Sequence, residues 1–304
     1  MKSAEARGKT WKKIKKYRFI SLLLLPIALY YLIFTYYPLL LGILNSFQES
    51  KMIGTPAFVG LQNYRDVLAN PVYGEAFWNS IVLGVGTFAV QFPFGLAIAL
   101  GINELRTRFA RSAVQSVTYI PNLLSWSVVG SMWLSMLDTN GLVNELMKVL
   151  TAGHWESIVF MSEQQLAQPI MILSAAWKGA GYYAVLFLAA IVAIDPSIYE
   201  AAAIDGASRL RQVFSIILPN LVPTMKVIAV LASMSVLRSF DQVFVMGNSN
   251  IFPKVRTLLY LIYQDGILNF KIGMSTAAAT LVLLVTMVFS FVTRRATRYD
   301  ESYS

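Results

Sequence analysis

The sequence predicts an all-α polytopic membrane protein with about six transmembrane helices and both termini cytoplasmic. Three observations carry that prediction. Of the 304 residues, 56% are hydrophobic and 13% charged, and mean hydropathy is +0.58. That is too apolar for an ordinary soluble domain. The apolar residues fall into runs near the roughly 20 residues that cross a hydrocarbon core. Lysines and arginines gather on alternate connections, as the positive-inside bias requires.

The first run, Phe19 to about Phe47, follows a basic segment, residues 1–18, holding Lys2, Arg7, Lys9, Lys12, Lys13, Lys15, Lys16 and Arg18. A secretory signal has a shorter apolar core and a small-residue cleavage site, so this run reads as an uncleaved first helix with its N-terminus inside. Further runs are Asn79–Ile102, Ser116–Leu137, Ile170–Ile194, Leu221–Phe240 and Met274–Thr293. Pro38 and Pro93 are candidate kinks, tolerated because neighbouring helices satisfy the freed backbone. The domain expected is a membrane body, residues 19–293, with a loop at 195–219 on the inner side and a tail at 294–304. The inner segments 1–18, 103–112, 195–215 and 294–304 hold sixteen Lys and Arg. The outer ones hold six: Lys51, Arg65, Lys148, Lys254, Arg256 and Lys271. Leu61–Leu68 and Leu142–Leu150 have the spacing of short amphipathic helices at the membrane surface or capping the bundle.

The net charge of +9 therefore reflects basic inner ends and not a nucleic-acid partner. With no cysteine there is no disulfide, thiolate nucleophile or Cys-ligated metal. His154 is the only histidine and lies in an outer loop, so no multi-histidine metal site forms. Arg7-Gly8-Lys9-Thr10 carries the Gly-Lys-Thr of a phosphate-binding loop, but Ser3 stands where its first glycine belongs and no strand precedes it. No catalytic residue, cofactor or ATP site is expected, and any ATP must be bound by another chain. Lys178, Arg238 and Asp241 fall within or at the ends of spans, where ionisable groups are costly and point to function. Snorkelling or pairing within the bundle is the plainer account, and Lys226, near the inner face, reads as a snorkelling residue. Trp126, Trp133, Trp177, Tyr182, Tyr183, Phe240 and Phe244 could face a sugar path or simply pack.

The most ordered break between spans is Tyr199–Pro223. Asp195-Pro196 supplies an N-cap and a first-turn proline, and Glu200, Ala201, Ala202 and Ala203 continue as helix formers. Gly206 interrupts, and a second helical run from Arg209 to Ile217 is expected to stop near Pro219. Leu210, Val213, Phe214 and Ile217 would suit an interfacial amphipathic helix. The spacing is also that of a signature: Glu200-Ala201-Ala202, Gly206, Ile216 and Leu218-Pro219 resemble the cytoplasmic loop of permease subunits in ABC importers.

The resemblance runs over nearly the whole chain and is closest to carbohydrate-uptake permeases of the maltose and glycerol-phosphate type. Phe58 to Tyr64 is similar to the maltose-F-like partner, and the polysaccharide and lipoprotein-type branch is nearest. Pro121 to Asp138, Trp177-Lys178, Gly181 and Asp195 to Ala207 are similar as well. The common Gly-Gly-Pro turn is replaced by Gly247 to Pro253, and the large extracellular insertion of the maltose protein is absent. The resemblance implies a type I ABC importer permease fold in a bacterial or archaeal inner or plasma membrane. It implies a second permease subunit, two ATP-binding subunits, an extracytoplasmic solute-binding protein and a sugar or oligosaccharide substrate. Glu200, Ala201, Ala202, Asp205, Gly206 and Ala207 would dock on the ATPase. Phe240, Asp241 and Phe244 would face the sugar. An ATP-independent secondary transporter would need intramembrane ion sites and repeats, and a membrane enzyme a catalytic cluster; neither is legible.

Overall fold

A computed structural model describes residues 18–51 and 54–297. The basic segment before Arg18, with Arg7–Thr10, and the tail beyond Thr297 lie outside the described residues. Among the described residues there are helices and one isolated antiparallel bridge, Gln48 to Phe58.

Helix α1 (18–45) contains a π turn at Leu32–Tyr36, immediately before Pro38. Proline has no N–H to offer the Phe34 carbonyl, so the ladder widens there and the Tyr37 N–H reaches back to Leu32 O. The apolar side chains of α1 are exposed from Leu22 to Leu41. On this chain only its last turns pack, against the final helix. Such a helix is covered by lipid or by another subunit.

Helices α2 (Gln62–Ala69), α3 (Pro71–Glu104), α4 (Arg108–Leu123), α5 (Trp126–Met136) and α6 (Leu142–Leu150) follow. The F-x-G-L-x-N-Y segment explains itself here. Asn63 donates to the carbonyls of Ser46 (2.9 Å) and Gln48 (2.8 Å), and Tyr64 OH meets Ser46 Oγ at 2.6 Å, clamping the end of α1 to α2. At about 1.5 Å per residue, the 34-residue α3 is longer than a bilayer core is thick, so it projects beyond it.

The remaining elements are α7 (Gln164–Val192), α8 (Pro196–Ile204), α9 (Arg209–Ser235), α10 (Asp241–Met246), α11 (Phe252–Val255), α12 (Leu258–Leu268) and α13 (Ile272–Ala296). The most extensive pairing is α3 against α7. One apolar cluster around Phe187, Ile217 and Leu221 joins α3, α7 and α9. A second around Met171, Val243 and Met246 joins α5, α7, α10 and α11. A third around Leu237, Leu258 and Ala277 ties α9's end to α12 and α13.

Among the described residues five helices are long and apolar enough to cross a membrane. The expected third span, Ser116–Leu137, is instead two helices with Leu124 and Ser125 extended between them. Ser125 turns its hydroxyl onto the Val128 N–H as an N-cap (3.4 Å), starting a new helix rather than continuing the old one. The expected stop near Pro219 is absent. A π turn at Val213–Ile217 absorbs the proline, the Leu218 N–H bonding Val213 O, and α9 runs unbroken from Arg209 to Ser235. The expected Leu221–Phe240 run therefore begins earlier and ends at Ser235, leaving Phe240 outside the helix.

Candidate functional site: an inner elbow and an intramembrane cavity

Asp195 caps α8, accepting from the Ser197 N–H at 2.9 Å. That bond holds its carboxyl below the ordinary Asp range. The cap is thus present at neutral pH and lost only as pH falls through the lowered value. At the other end Gly206 adopts φ +75°, the Gly206 N–H reaches Ala203 O (3.1 Å) and the Ala207 N–H reaches Ala202 O (2.9 Å). This pair of bonds is a Schellman closure, which needs a left-handed residue after the helix. Ser208 then caps the next helix by accepting from the Arg211 N–H (3.4 Å), and Gln212 Nε2 ties back to Ala207 O at 3.3 Å.

The C-cap Asp205 and the N-cap Ser208 make a tight elbow with two residues, Gly206 and Ala207, between them. Glu200, Ala201, Asp205 and Gly206 are exposed on it, and Ala202 and Ala207 half-buried. Val213 and Ile217 pack into the body, while Ile204 (87% exposed) and Leu210 (71%) project outward. The elbow shares its end of the bundle with the α3–α4 connection. Arg209 pairs with Glu104 at 3.7 Å, and Arg111 lines the same cavity of about 410 Å³. Two of the predicted inner segments are thereby brought together.

At membrane depth, the break in α4–α5 meets the break after α9, because α10 packs on α5. Lys178 Nζ donates to Asn122 O (3.0 Å), a carbonyl freed by the first break, and stands 5.7 Å from the Trp126 ring centroid. Buried Gln242 donates to Met171 O (2.7 Å) and Ser174 Oγ (2.9 Å), and Thr257 Oγ1 donates to Ser239 O (2.6 Å). These bonds hold the second break open. Gly84 of α3 lies against the backbone of Val236, where a Cβ would collide with its carbonyl oxygen. The breaks border a cavity of about 200 Å³ whose wall includes Thr87, Gln91, Trp126, Arg238, Ser239 and Gln242. Irregular backbone at this depth occurs where it is buried or lines a polar cavity. The geometry is suited to passing a polar solute, and among the described residues no group of three or more His, Cys, Asp or Glu could hold a metal ion.

Residues 91–299 match the family of binding-protein-dependent transport system inner membrane components. The chain belongs to that family. The permease is 31% identical, over 98% of its length and 93% of the relative's, to the polygalacturonan/rhamnogalacturonan transport system permease protein YteP of Bacillus subtilis. It is 31% identical to Protein LplB of the same organism, covering 94% of this chain and 90% of that one. A crystal structure of a bacterial ABC transporter involved in the import of the acidic polysaccharide alginate superposes with TM-score 0.85 at 27% identity, over 95% of this permease and 98% of that chain. That importer is also known in complex with an alginate pentasaccharide-bound periplasmic protein.

Within the permease, Phe240, Asp241 and Phe244 stand at and just after the second break, but none of them lines the cavity, whose wall there is Arg238, Ser239 and Gln242. Phe240 and Phe244 stack at 5.5 Å, each within 5.6 Å of the Tyr263 ring, while Asp241 opens α10 and is exposed. Trp133 packs on Trp177, and Trp126 and Tyr183 line the cavity. Gln242, Gln91 and Tyr263 escaped the sequence reading. For Gln242 the available signal was a lone amide beside two flagged charges. His154 is exposed, 2.9 Å from Thr151 O, as a surface residue.

Proposed function

We propose that this permease is one of two membrane subunits of an ATP-driven importer for a sugar or oligosaccharide, working with two ATP-binding subunits and an extracytoplasmic solute-binding protein. The elbow carries the reading. It is doubly capped, exposed and presents Glu200, Ala201, Ala202, Asp205, Gly206 and Ala207 as one docking surface. The carbohydrate polymers and the bound periplasmic protein named for its relatives supply the substrate class and the partners.

In this reading the membrane body spans 19–293, both termini are cytoplasmic, and the loop 195–219 inserts into the ATPase. Ala201 and Ala202 allow close approach, the two carboxylates face the partner, and Ile204 and Leu210 fill apolar hollows in it. ATPase closure moves the elbow, and α9, continuous with its second arm, transmits that movement to the break at 236–240. The helix bundle exchanges inward-facing for outward-facing packing around the cavity. Phe240, Asp241 and Phe244 meet the sugar there, aromatic faces against the ring and a carboxylate against hydroxyls. Affinity purification of the chain in mild detergent tests the reading. Recovery of an ATPase and a second permease supports it; a lone chain that transports without ATP identifies a secondary transporter instead.

A further inference from the structure

Arg238 sits in the non-helical segment between α9 and α10, at membrane depth, with its backbone N–H on Ser235 O at 3.0 Å. It lines the 200 Å³ cavity and is exposed to it. Among the described residues its guanidinium has no ion pair and no side-chain hydrogen bond; the ion pairs there are Glu49–Lys51, Glu145–Lys148, Glu104–Arg209 and Asp265–Lys271. An arginine inside a membrane protein is retained at considerable cost, and its counter-charge is normally close by. The ionisable groups at the two breaks are Lys178, Arg238 and Asp241, two positive charges against one negative, and Lys178 is already engaged with the Asn122 carbonyl. One positive charge is therefore unmatched at the breaks among the described residues, and Arg238 is the cation there with no bond of its own to a backbone carbonyl or a carboxylate.

The rest of the wall says what kind of molecule brings the missing charge. Thr87, Gln91, Ser235 and Ser239 offer hydroxyls and an amide, and Trp126 offers a ring face, a lining matched to a sugar. Guanidinium groups bind planar oxyanions through paired hydrogen bonds. A uronate places one carboxylate on each ring, so each ring that passes Arg238 brings one negative charge, whereas a phosphate monoester brings about 1.5 to 2 at one point. We propose that the transported sugar is a uronate, its carboxylate received by Arg238 during passage. The proposal rests on the sugar-permease reading above.

The test uses the complete importer, with its binding protein, in proteoliposomes. The probes are trigalacturonate, its methyl ester and glucose 6-phosphate, each at saturating binding protein. Trigalacturonate is expected to enter at least tenfold faster than its ester. Arg238→Gln is expected to slow trigalacturonate by about tenfold to a hundredfold, the usual effect of losing a hydrogen bond to a charged group, and to bring the acid-to-ester ratio towards one. Arg238→Lys should restore part of that ratio. Because the binding protein is unchanged, the change in ratio reads the permease alone. Equal losses for acid and ester in Arg238→Gln would assign the counter-charge to the second permease and overturn the proposal. So would wild-type import of the ester in preference to the acid, which leaves the sugar-permease reading intact, or preference for the sugar phosphate. If Arg238→Gln does not assemble, Arg238→Lys carries the test: it keeps the charge but not the paired donors, a lowered acid-to-ester ratio is expected, and an unchanged ratio overturns the proposal. Import of no sugar at all overturns this proposal and the sugar reading together.

Discussion

Gly206 is the residue on which the elbow turns, and graded substitutions there separate backbone geometry from packing. A Cβ built on Gly206 meets nothing within 4 Å, so alanine adds no collision and only the φ of +75° resists it. A left-handed conformation costs an L-residue about 1–2 kcal/mol. Asparagine tolerates that region better and should cost less. Proline fixes φ near −65° and removes the N–H that bonds Ala203 O at 3.1 Å. The turn then cannot form, and the cost is about 3 kcal/mol or more. With tenfold per 1.4 kcal/mol, alanine lowers the population of the docked elbow by roughly fivefold to thirtyfold, and proline by over a hundredfold. The assay is uptake and binding-protein-stimulated ATP hydrolysis in proteoliposomes, with co-purification of the ATPase as the readout of docking. The expected order is wild type, Asn, Ala, Pro, with membrane insertion the same in all because the elbow lies between spans. Wild-type uptake and stimulated hydrolysis in Gly206→Pro would refute the reasoning.

Four further outcomes are expected. Glu200→Lys reverses an exposed charge on the elbow and uncouples hydrolysis from uptake without affecting insertion; normal values of both would contradict the docking role. Asp241→Ala lowers uptake and substrate-stimulated hydrolysis, and if neither changes, Asp241 is not on the substrate path. Gln242→Leu removes two buried side-chain hydrogen bonds, to Met171 O and to Ser174 Oγ, a loss of about 1–3 kcal/mol, visible as a lower unfolding midpoint of the detergent-solubilised complex; an unchanged midpoint would show that the bonds do not hold the break. Gly84→Ala pushes against the Val236 carbonyl and slows uptake, whereas Gly74→Ala, where a Cβ meets nothing, serves as the control; equal behaviour of the two would remove Gly84 from the positioning of the break.

The elbow was legible because its determinants are local. Asp195, Pro196 and Gly206 act within a few residues of themselves, so the first cap and the turn follow from residue type and order, while the Ser208 cap of the second arm went unread. The long helices were legible because a bilayer imposes a length. The same averaging hid the two breaks: 116–137 is a single apolar window, yet its discontinuity depends on Lys178, which reaches Asn122 from another helix. Likewise the segment after α9 is fixed from distant parts of the chain, Thr257 donating to Ser239 O and Gln242 donating to Met171 O of α7. Pro219 misled in the opposite sense, because a π turn upstream compensates a residue that usually ends a helix. A backbone break inside a membrane needs polar side chains to satisfy it. Lys178, donating to Asn122 O, and Thr257, donating to Ser239 O, are therefore the counterparts of the breaks at 124–125 and 236–240, recorded in different parts of the chain. Each donates to a backbone carbonyl at its break. The Arg238 side chain stands among the same breaks and donates to none, and that difference separates a charge kept for structure from one kept for a passing anion.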